Sequence, residues 1–507
     1  MDLPIASPHE HPVPAGSSST RWLVLLTVMV GTFLGRLDQT IVNLALPKII
    51  NDFGITVSAA GWIATAYILA NAIFVPVWGK LGDTIGRKKV YIIGFVVFII
   101  GSILAGLSWN LTSMIAFRII QAIAGSADYP TAMAILAITF REGKERAQAL
   151  GIWSASFAAA TVFGPLVGGP LIDTFGWRSV FLVNLPVGIV GLLMALSFIK
   201  ESTSEKKTSV FDWWGALTLG SALSALVLVL DKGLEWGWLS TNSIIAYSTV
   251  LVFMAVFVAI ERHHPDPIID FKFFRIPAFV HTLNNNIIIF MGMMGGIFLI
   301  PIFVQTFLGY DATQSGYLFM PMAFMMLIAA PIGGNLTGKV EPRYVIAAST
   351  LVAALGISLF SRLDPRSGPL DIIIPLSIMA FGLGFGMPQR TNIIASVVPQ
   401  HEIGVASSIL ALARNIAGAF GIAIFGTILQ HTTEARLLRI SMWSTIHLTN
   451  ALDYRRAIGL MILKAQVASY GDVFAIASVL LGIGAVSALF IRVPKNTSPH
   501  EEVFIES

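Results

Sequence analysis

The 507-residue sequence has no cysteine, which excludes disulfides, thiolate metal sites and cysteine nucleophiles. Charge is scarce: Asp, Glu, Lys and Arg together make up 12% of the chain. The nine histidines are scattered and never take the H-E-x-x-H spacing of a zinc hydrolase. There is no ATP-binding P-loop, so any work the chain performs draws on another energy source. No nucleophile–base pair stands out, which argues against an enzyme. Residues 1–20 are polar and rich in Pro and Ser, without the basic start and apolar centre of a signal peptide; they read as a disordered cytoplasmic tail.

Apolar residues fill the space these absences leave. The chain is 55% hydrophobic, with a mean hydropathy of +0.78. A soluble fold of this length could not hide so much apolar surface, which predicts a polytopic membrane protein. About twenty apolar residues cross the bilayer as a helix. By that criterion the spans fall near residues 22–46, 57–78, 90–107, 111–139, 147–172, 180–198, 213–230, 243–260, 278–307, 316–336, 344–360, 372–398, 405–429 and 473–491. The formal charge of +4 sits mostly in the connections, so it reports topology rather than binding of nucleic acid.

One connection is unusually specific. Gly79, Lys80, Leu81, Gly82, Asp83, Ile85, Gly86, Arg87, Lys88 and Lys89 form a short, glycine-rich, basic hinge between two long apolar runs. The positive-inside rule places it in the cytoplasm and fixes the direction of the other crossings. Glycine permits a tight turn between antiparallel helices. Asp83 can accept from the amides that open the next helix or pair with an arginine. The order G-x-L-x-D-x-x-G-R-K-K resembles the loop between the second and third helices of the major facilitator superfamily of transporters. A degraded echo runs from Gly334 to Arg343, as expected of two helical halves around a central site.

These readings predict an all-α membrane protein with the major facilitator fold and 14 transmembrane helices in a 6+2+6 arrangement. Its parts are a tail at 1–20, a six-helix bundle at 21–200 and a linker with two extra helices at 201–275. A second six-helix bundle follows at 276–492, with a long outer loop at 431–470, and then a tail at 493–507. Both termini are expected in the cytoplasm of a cell-membrane protein. A stretch within 455–467 is compatible with an amphipathic hairpin or a surface helix.

Charges inside spans are costly and are functional candidates by default. In the first span Thr32, Arg36, Thr40 and Asn43 share a face at about 100° per residue, while Asp38 points almost the opposite way. The sequence leaves open which face meets the cavity and whether Arg36 and Asp38 are structural. In the fourth span Arg118, Gln121, Gly125 and Asp128 lie within about 80° of helix surface. Asp38 is about 25 Å from the inner end of its helix and Arg118 about 10 Å from the outer end of its own, which puts both in the outer half. Asp128 is deeper. The fifth span carries Gly164, Pro165, Gly168 and Gly169, a packing seam or hinge. Tyr67, Asn284, Asn285, Met294, Phe298, Gln389 and Arg390 complete the candidates for a soft, aromatic substrate cavity.

These pieces together resemble the fourteen-helix drug:proton antiporter family, also called EmrB/QacA-like. Its L-D-x-T-I-V-N-x-A-L-P is matched by Leu37 to Pro47. Its R-x-x-Q-G is matched by Arg118 and Gln121, with Ala122 in place of the glycine. Its G-P-x-x-G-G is matched by Gly164 to Gly169, and Trp177, Arg178, Asn184, Leu185 and Pro186 also fit. The resemblance implies proton-coupled export of amphipathic or cationic molecules by alternating access, with Asp38 as coupling carboxylate and Arg118 as its regulator. Asp128 and Arg390 are not hallmarks of that family and hint at a second titrating site or a specialised substrate. Gly79, Asp83, Gly86, Arg87 and Lys88 would act as a conformational latch. The proton would be the coupling ion, with no cofactor and no metal. The lipid bilayer and a small amphipathic substrate would be the partners of a monomer, with a periplasmic adaptor implied only for a host with an outer membrane. The competing reading is a transporter of a lipid or anionic metabolite, with Arg36, Arg118 and Arg390 as anion partners.

Overall fold

The computed structural model describes residues 18–140, 144–201, 212–265, 267–269, 271–398, 403–443 and 451–492. The expected tails at 1–20 and 493–507 fall almost wholly outside these residues. The amino-terminal bundle comprises α1 (Ser18–Phe53), α2 (Val57–Ile85), α3 (Arg87–Gly106), α4 (Leu111–Gly125), α5 (Asp128–Thr139), α6 (Lys144–Phe175), α7 (Ser179–Leu182) and α8 (Asn184–Phe198). Next come α9 (Trp213–Trp236), α10 (Thr241–His263) and a 3-10 turn at Phe271–Arg275. The second bundle holds α11 (Pro277–Phe307), α12 (Ala312–Gly334), α13 (Pro342–Phe360), α14 (Pro369–Ser396), α15 (Ile403–Trp443) and α16 (Ala451–Ala488). The pairs α4–α5 and α7–α8 each make one crossing, so the sixteen helices give fourteen. Among the described residues, twelve helical stretches are each long and apolar enough to cross a membrane. The two other crossings are α4–α5, broken at Ser126–Ala127, and α6.

The even count brings the first and last described helix ends, at Ser18 and Ala488, to one face, called here the proximal face. Local sequence sets the helix starts. Asn110 and Ser113, and Asp311 and Gln314, form reciprocal capping boxes at α4 and α12. Proline opens α11, α13 and α14, where its missing amide costs nothing. The proximal turn between α2 and α3 is a single residue, Gly86, with φ of +107°. That backbone strains any side-chain-bearing residue, which explains a glycine there.

The two bundles meet along two seams, α6 against α12 and α2 against α15. The extra pair is not peripheral to both: α10 packs on α9, and α9 lies against α2 and α15 together. Leu219, Leu223 and Val227 of α9 share a buried cluster with Leu69 and Ala72 of α2 and Leu412, Ala419 and Ala423 of α15. The closest contacts between the halves lie toward the distal face. Gln305 donates to Leu44 O at 3.0 Å. Asp173 of α6 accepts from Ala312 N at 3.3 Å and from Thr313 N and Oγ1 at 2.8 Å each, and is paired with Lys48 at 2.8 Å.

One expectation is corrected. Residues 431–470 are mostly helix rather than a long loop: α15 runs on to Trp443, and α16 begins at Ala451. Arg436 of α15 binds Asp472 of α16 at 2.6 Å and ties the two long helices together. The fourth span, read as one run over 111–139, has a break just before Asp128.

Candidate functional site

Four helices of the amino-terminal bundle deliver a buried polar centre. Asp38 of α1 is fully buried and Arg118 of α4 is 2% exposed. Arg118 Nη1 donates to Asp38 Oδ2 at 2.6 Å and to Gln121 Oε1 at 2.7 Å. Gln121, one helical turn below Arg118, donates from Nε2 to Asp38 Oδ1 at 2.9 Å. Asn184, at the start of α8, donates from Nδ2 to the same oxygen at 2.9 Å and to Ser102 Oγ of α3 at 2.9 Å. The Arg118 guanidinium also lies 4.0 Å from the Tyr67 ring centroid, which adds a desolvated cation–π contact.

In low dielectric a carboxylate survives only when paired and hydrogen-bonded. Here an ionised Asp38 receives three side-chain donors. Asn184 Oδ1, buried, has no partner. That orphaned acceptor matters chemically, because protonating the carboxyl converts an acceptor into a donor. The same small network can therefore serve both protonation states after a local rearrangement.

Thr32, Arg36, Thr40 and Asn43, expected on one face, are divided among different neighbours. Thr32 Oγ1 donates to Asp128 Oδ2 at 2.8 Å and accepts from Trp153 Nε1 at 2.9 Å. Arg36 donates to Gln39 Oε1 at 3.1 Å and lies within electrostatic reach of Asp128 and Tyr129. Asn43 and Thr40 line a cavity of about 40 Å³ between the bundles, walled by Pro165, Pro301, Phe319 and Met322. Gly164 and Gly168 face Thr40 and Ile41 of α1, where an added Cβ would collide with their side chains. Gly169 faces the backbone of Ala312 and Thr313 across the seam.

Several candidate residues of the second half lie elsewhere than expected. Arg390 is buried inside the carboxy-terminal bundle rather than in a cavity between bundles. Its Nε donates to Asn285 Oδ1 at 2.8 Å, and its Nη2 to Thr350 Oγ1 at 2.9 Å and Ser349 Oγ at 3.3 Å. Asn285 in turn donates to Gly484 O at 2.8 Å. Gln389 is held by Gly333 O at 2.8 Å and Thr337 Oγ1 at 2.9 Å. Phe298 is 1% exposed, part of the packed core near Gly61. These side chains find most of their polar partners, or bury their apolar area, on neighbouring helices, while Gln389 Oε1 and Arg390 Nη1 are buried without a partner. Met294 packs beside Gly418 of α15, and Asn284 is exposed. At the hinge, Arg87 Nη1 donates to Ala134 O at 3.4 Å and Lys88 Nζ to Leu196 O at 2.8 Å, both within the first bundle. The Asp83 side chain and Gly79 fall outside the described positions.

Reading the sequence overlooked Asn184 and Ser102 as members of the polar centre. Asn184 was visible only as part of an Asn-Leu-Pro run, and Ser102 as one serine in an apolar helix; tertiary packing alone brings them to Asp38.

A sequence profile described as Major Facilitator Superfamily matches residues 28–422. The Multidrug resistance protein Stp of Mycobacterium tuberculosis is 32% identical, over 82% of this chain and 78% of its own length. The Tetracenomycin C resistance and export protein of Streptomyces glaucescens is 27% identical, over 97% of this chain and 96% of its own. A solved bacterial homolog to the human lysosomal transporter Spinster superposes with a TM-score of 0.67 at 18% identity, covering 95% of this chain and 100% of that one. At such identity the likeness is one of fold.

Proposed function

The chain belongs to the Major Facilitator Superfamily, and from that premise we propose that it is a proton-coupled exporter of amphipathic or cationic small molecules, with Asp38 as the coupling carboxylate. A multi-pass transporter of this superfamily is a carrier, not an enzyme. The names of its relatives, a multidrug resistance protein and a tetracenomycin exporter, support efflux as the direction and drug-like compounds as the cargo. The basic residues Arg87, Lys88 and Lys89, with Lys339 and Arg343, lie on the proximal face, which supports a cytoplasmic proximal face and cytoplasmic termini.

The observation that carries the coupling is the buried pair of Asp38 and Arg118, 2.6 Å apart. Desolvation favours the neutral form of a carboxylate, and an adjacent guanidinium favours the charged form. Such a balance lets a conformational change take up or release a proton. A proton shifts the carrier between states only if the states bind it with different affinity. Parting Asp38 from Arg118 supplies that difference. In the state described, closed distally, Arg118, Gln121 and Asn184 all donate to the carboxylate. Protonation would cancel the pairing with Arg118 and leave a buried guanidinium without a counter-charge, which favours the alternate arrangement. No cofactor is needed: the proton is the coupling ion.

A second reading, transport of a lipid or anionic metabolite, draws on Arg390. The partners described for its guanidinium are an amide and two hydroxyls, and Nη1 is buried without one. Reconstituted protein with an imposed pH gradient separates the readings. Proton-driven accumulation of a cationic dye such as ethidium, and not of anionic or zwitterionic probes, is the expected result. Accumulation of the anionic probe alone, dependent on Arg390, would favour the second reading.

A further inference from the structure

We propose that Asp128 is a second proton-binding group, which exchanges protons with Asp38 through a water-sized cavity inside the amino-terminal bundle. This rests on the reading of Asp38 as the coupling carboxylate and extends it to the route by which its proton travels.

Asp128 opens α5 directly after the break in the fourth span. One of its carboxylate oxygens is anchored: Oδ2 accepts from Thr32 Oγ1, which in turn accepts from Trp153 Nε1 of α6. The other, Oδ1, is shielded from solvent and has no hydrogen-bond partner. Buried polar atoms are nearly always satisfied, and an orphan beside open space points to an unfilled ligand position. The space is present. Asp128 borders a cavity of about 30 Å³ whose other walls include Gly31, Leu34, Gly35, Tyr91 and Gly125. A cavity of that size has room for one water, with Asp128 and Tyr91 as the polar groups of a wall otherwise built of Gly, Ala, Leu and Phe.

The cavity also lies in the right place. Gly31, Leu34 and Asp38 fall on one face of α1, because residues three and four apart stack along a helix. Leu34 is one turn, about 6 Å, from Asp38 toward the proximal face. The cavity therefore reaches from Asp128 to one turn short of Asp38, which is not itself part of its wall. A proton leaving Asp38 would be passed along water to Oδ1 of an ionised Asp128, each water giving up one proton as it receives another. Nothing else is consumed.

The groups around Asp128 suit a site that changes charge. Thr32 and Arg36 face it from α1, Tyr91 from α3, and Tyr129 follows it on α5. On α2 the titratable neighbour is Tyr67, which stacks on Arg118. The α6 neighbour, Trp153, is a fixed donor. Arg414 of α15 comes within electrostatic reach of Arg36 and Tyr129 from the other bundle. Among these, Arg36 is the cation within electrostatic reach of Asp128. The carboxylate so has a compensating charge nearby and a neutral hydrogen-bonding shell.

The test is an infrared pH titration of the whole protein in lipid nanodiscs, followed at the protonated carboxyl stretch and without substrate. Asp128→Asn and Asp38→Asn keep size and shape, and each is expected to lose one titrating carboxyl relative to the unmodified protein. Asp128→Glu is expected to restore the lost signal at a shifted frequency. If Asp128→Asn titrates like the unmodified protein while Asp38→Asn loses its signal, this proposal is overturned and the exporter reading stands. If Asp38→Asn loses nothing, it is the exporter reading that fails. Gly35 has no atom within 4 Å of an added Cβ, so the cavity can be narrowed there without a clash. Gly35→Ala is expected to keep both titrating groups and slow their response to a pH jump. An unchanged response would overturn the cavity as the route.

Discussion

Gly169 offers a direct reading of how the distal face closes. A methyl group there would sit 2.8 Å from Ala312 O and Thr313 N, with Thr313 Cα closer still. These are backbone atoms in the first turn of α12, fixed by the Asp311–Gln314 capping box, so they cannot swing aside as a side chain can. Overpacking a tight contact costs about 1–3 kcal/mol. The contact joins the two halves, so the cost falls on the distally closed state and vanishes when the seam opens. Gly169→Ala should therefore move the equilibrium toward the distally open state by roughly 5- to 150-fold. The cysteine-free chain makes the assay simple, since only introduced thiols are labelled. Spin labels at Phe175→Cys and Arg366→Cys, exposed distal positions on opposite halves, would report the separation by pulsed electron resonance. Gly164→Ala is the control, because its collision is with the Thr40 side chain within one bundle. An unchanged distance distribution in Gly169→Ala, or an equal shift in Gly164→Ala, would refute the assignment of this seam as the distal gate.

Other outcomes follow from the polar networks. Asn184→Ala removes a donor to a buried carboxylate and should cost about 1.5–3 kcal/mol in reversible unfolding in mixed micelles; a change within error would exclude Asn184 from the network's energetics. Asn285→Leu should destabilise more than Arg390→Met, because the first leaves a buried guanidinium short of an acceptor while the second removes the charge; the reverse order in thermal unfolding would contradict the described packing. Arg436→Ala breaks a pair that is about 40% exposed on each side and should cost less than about 1 kcal/mol. A larger loss would mean that this clip organises the distal helices.

Much of the architecture is legible in the sequence because the bilayer demands it: an apolar run near twenty residues has few alternatives, and the basic hinge at Gly86 orients the rest. The long distal helices were hidden because Arg436, Arg439 and Arg455 make the region look like a polar loop, whereas helix needs only satisfied backbone, not apolarity. At the site, the depth of Asp38 and Arg118 along their helices foretold that they could meet. Facing was not legible, because a helical wheel says which residues share a side but not which neighbour lies there. Thr32 and Arg36 share a face, yet the wheel does not show that the neighbour there is Asp128, which bonds Thr32 and lies within electrostatic reach of Arg36. Arg390 shows the same limit: a charge in a span signals importance, but only packing reveals that its partners lie within its own bundle.

The central claim is that Asp38 carries the coupling proton. Its most direct test is uphill transport by Asp38→Asn in proteoliposomes, with ethidium as the probe and an imposed pH gradient as the only driving force. The variant keeps the size of the side chain and removes its titration. It is expected to bind ethidium and equilibrate it down its own gradient, yet to lose accumulation against that gradient. Retention of pH-driven accumulation by Asp38→Asn would contradict the account and leave Asp38 a structural partner of Arg118.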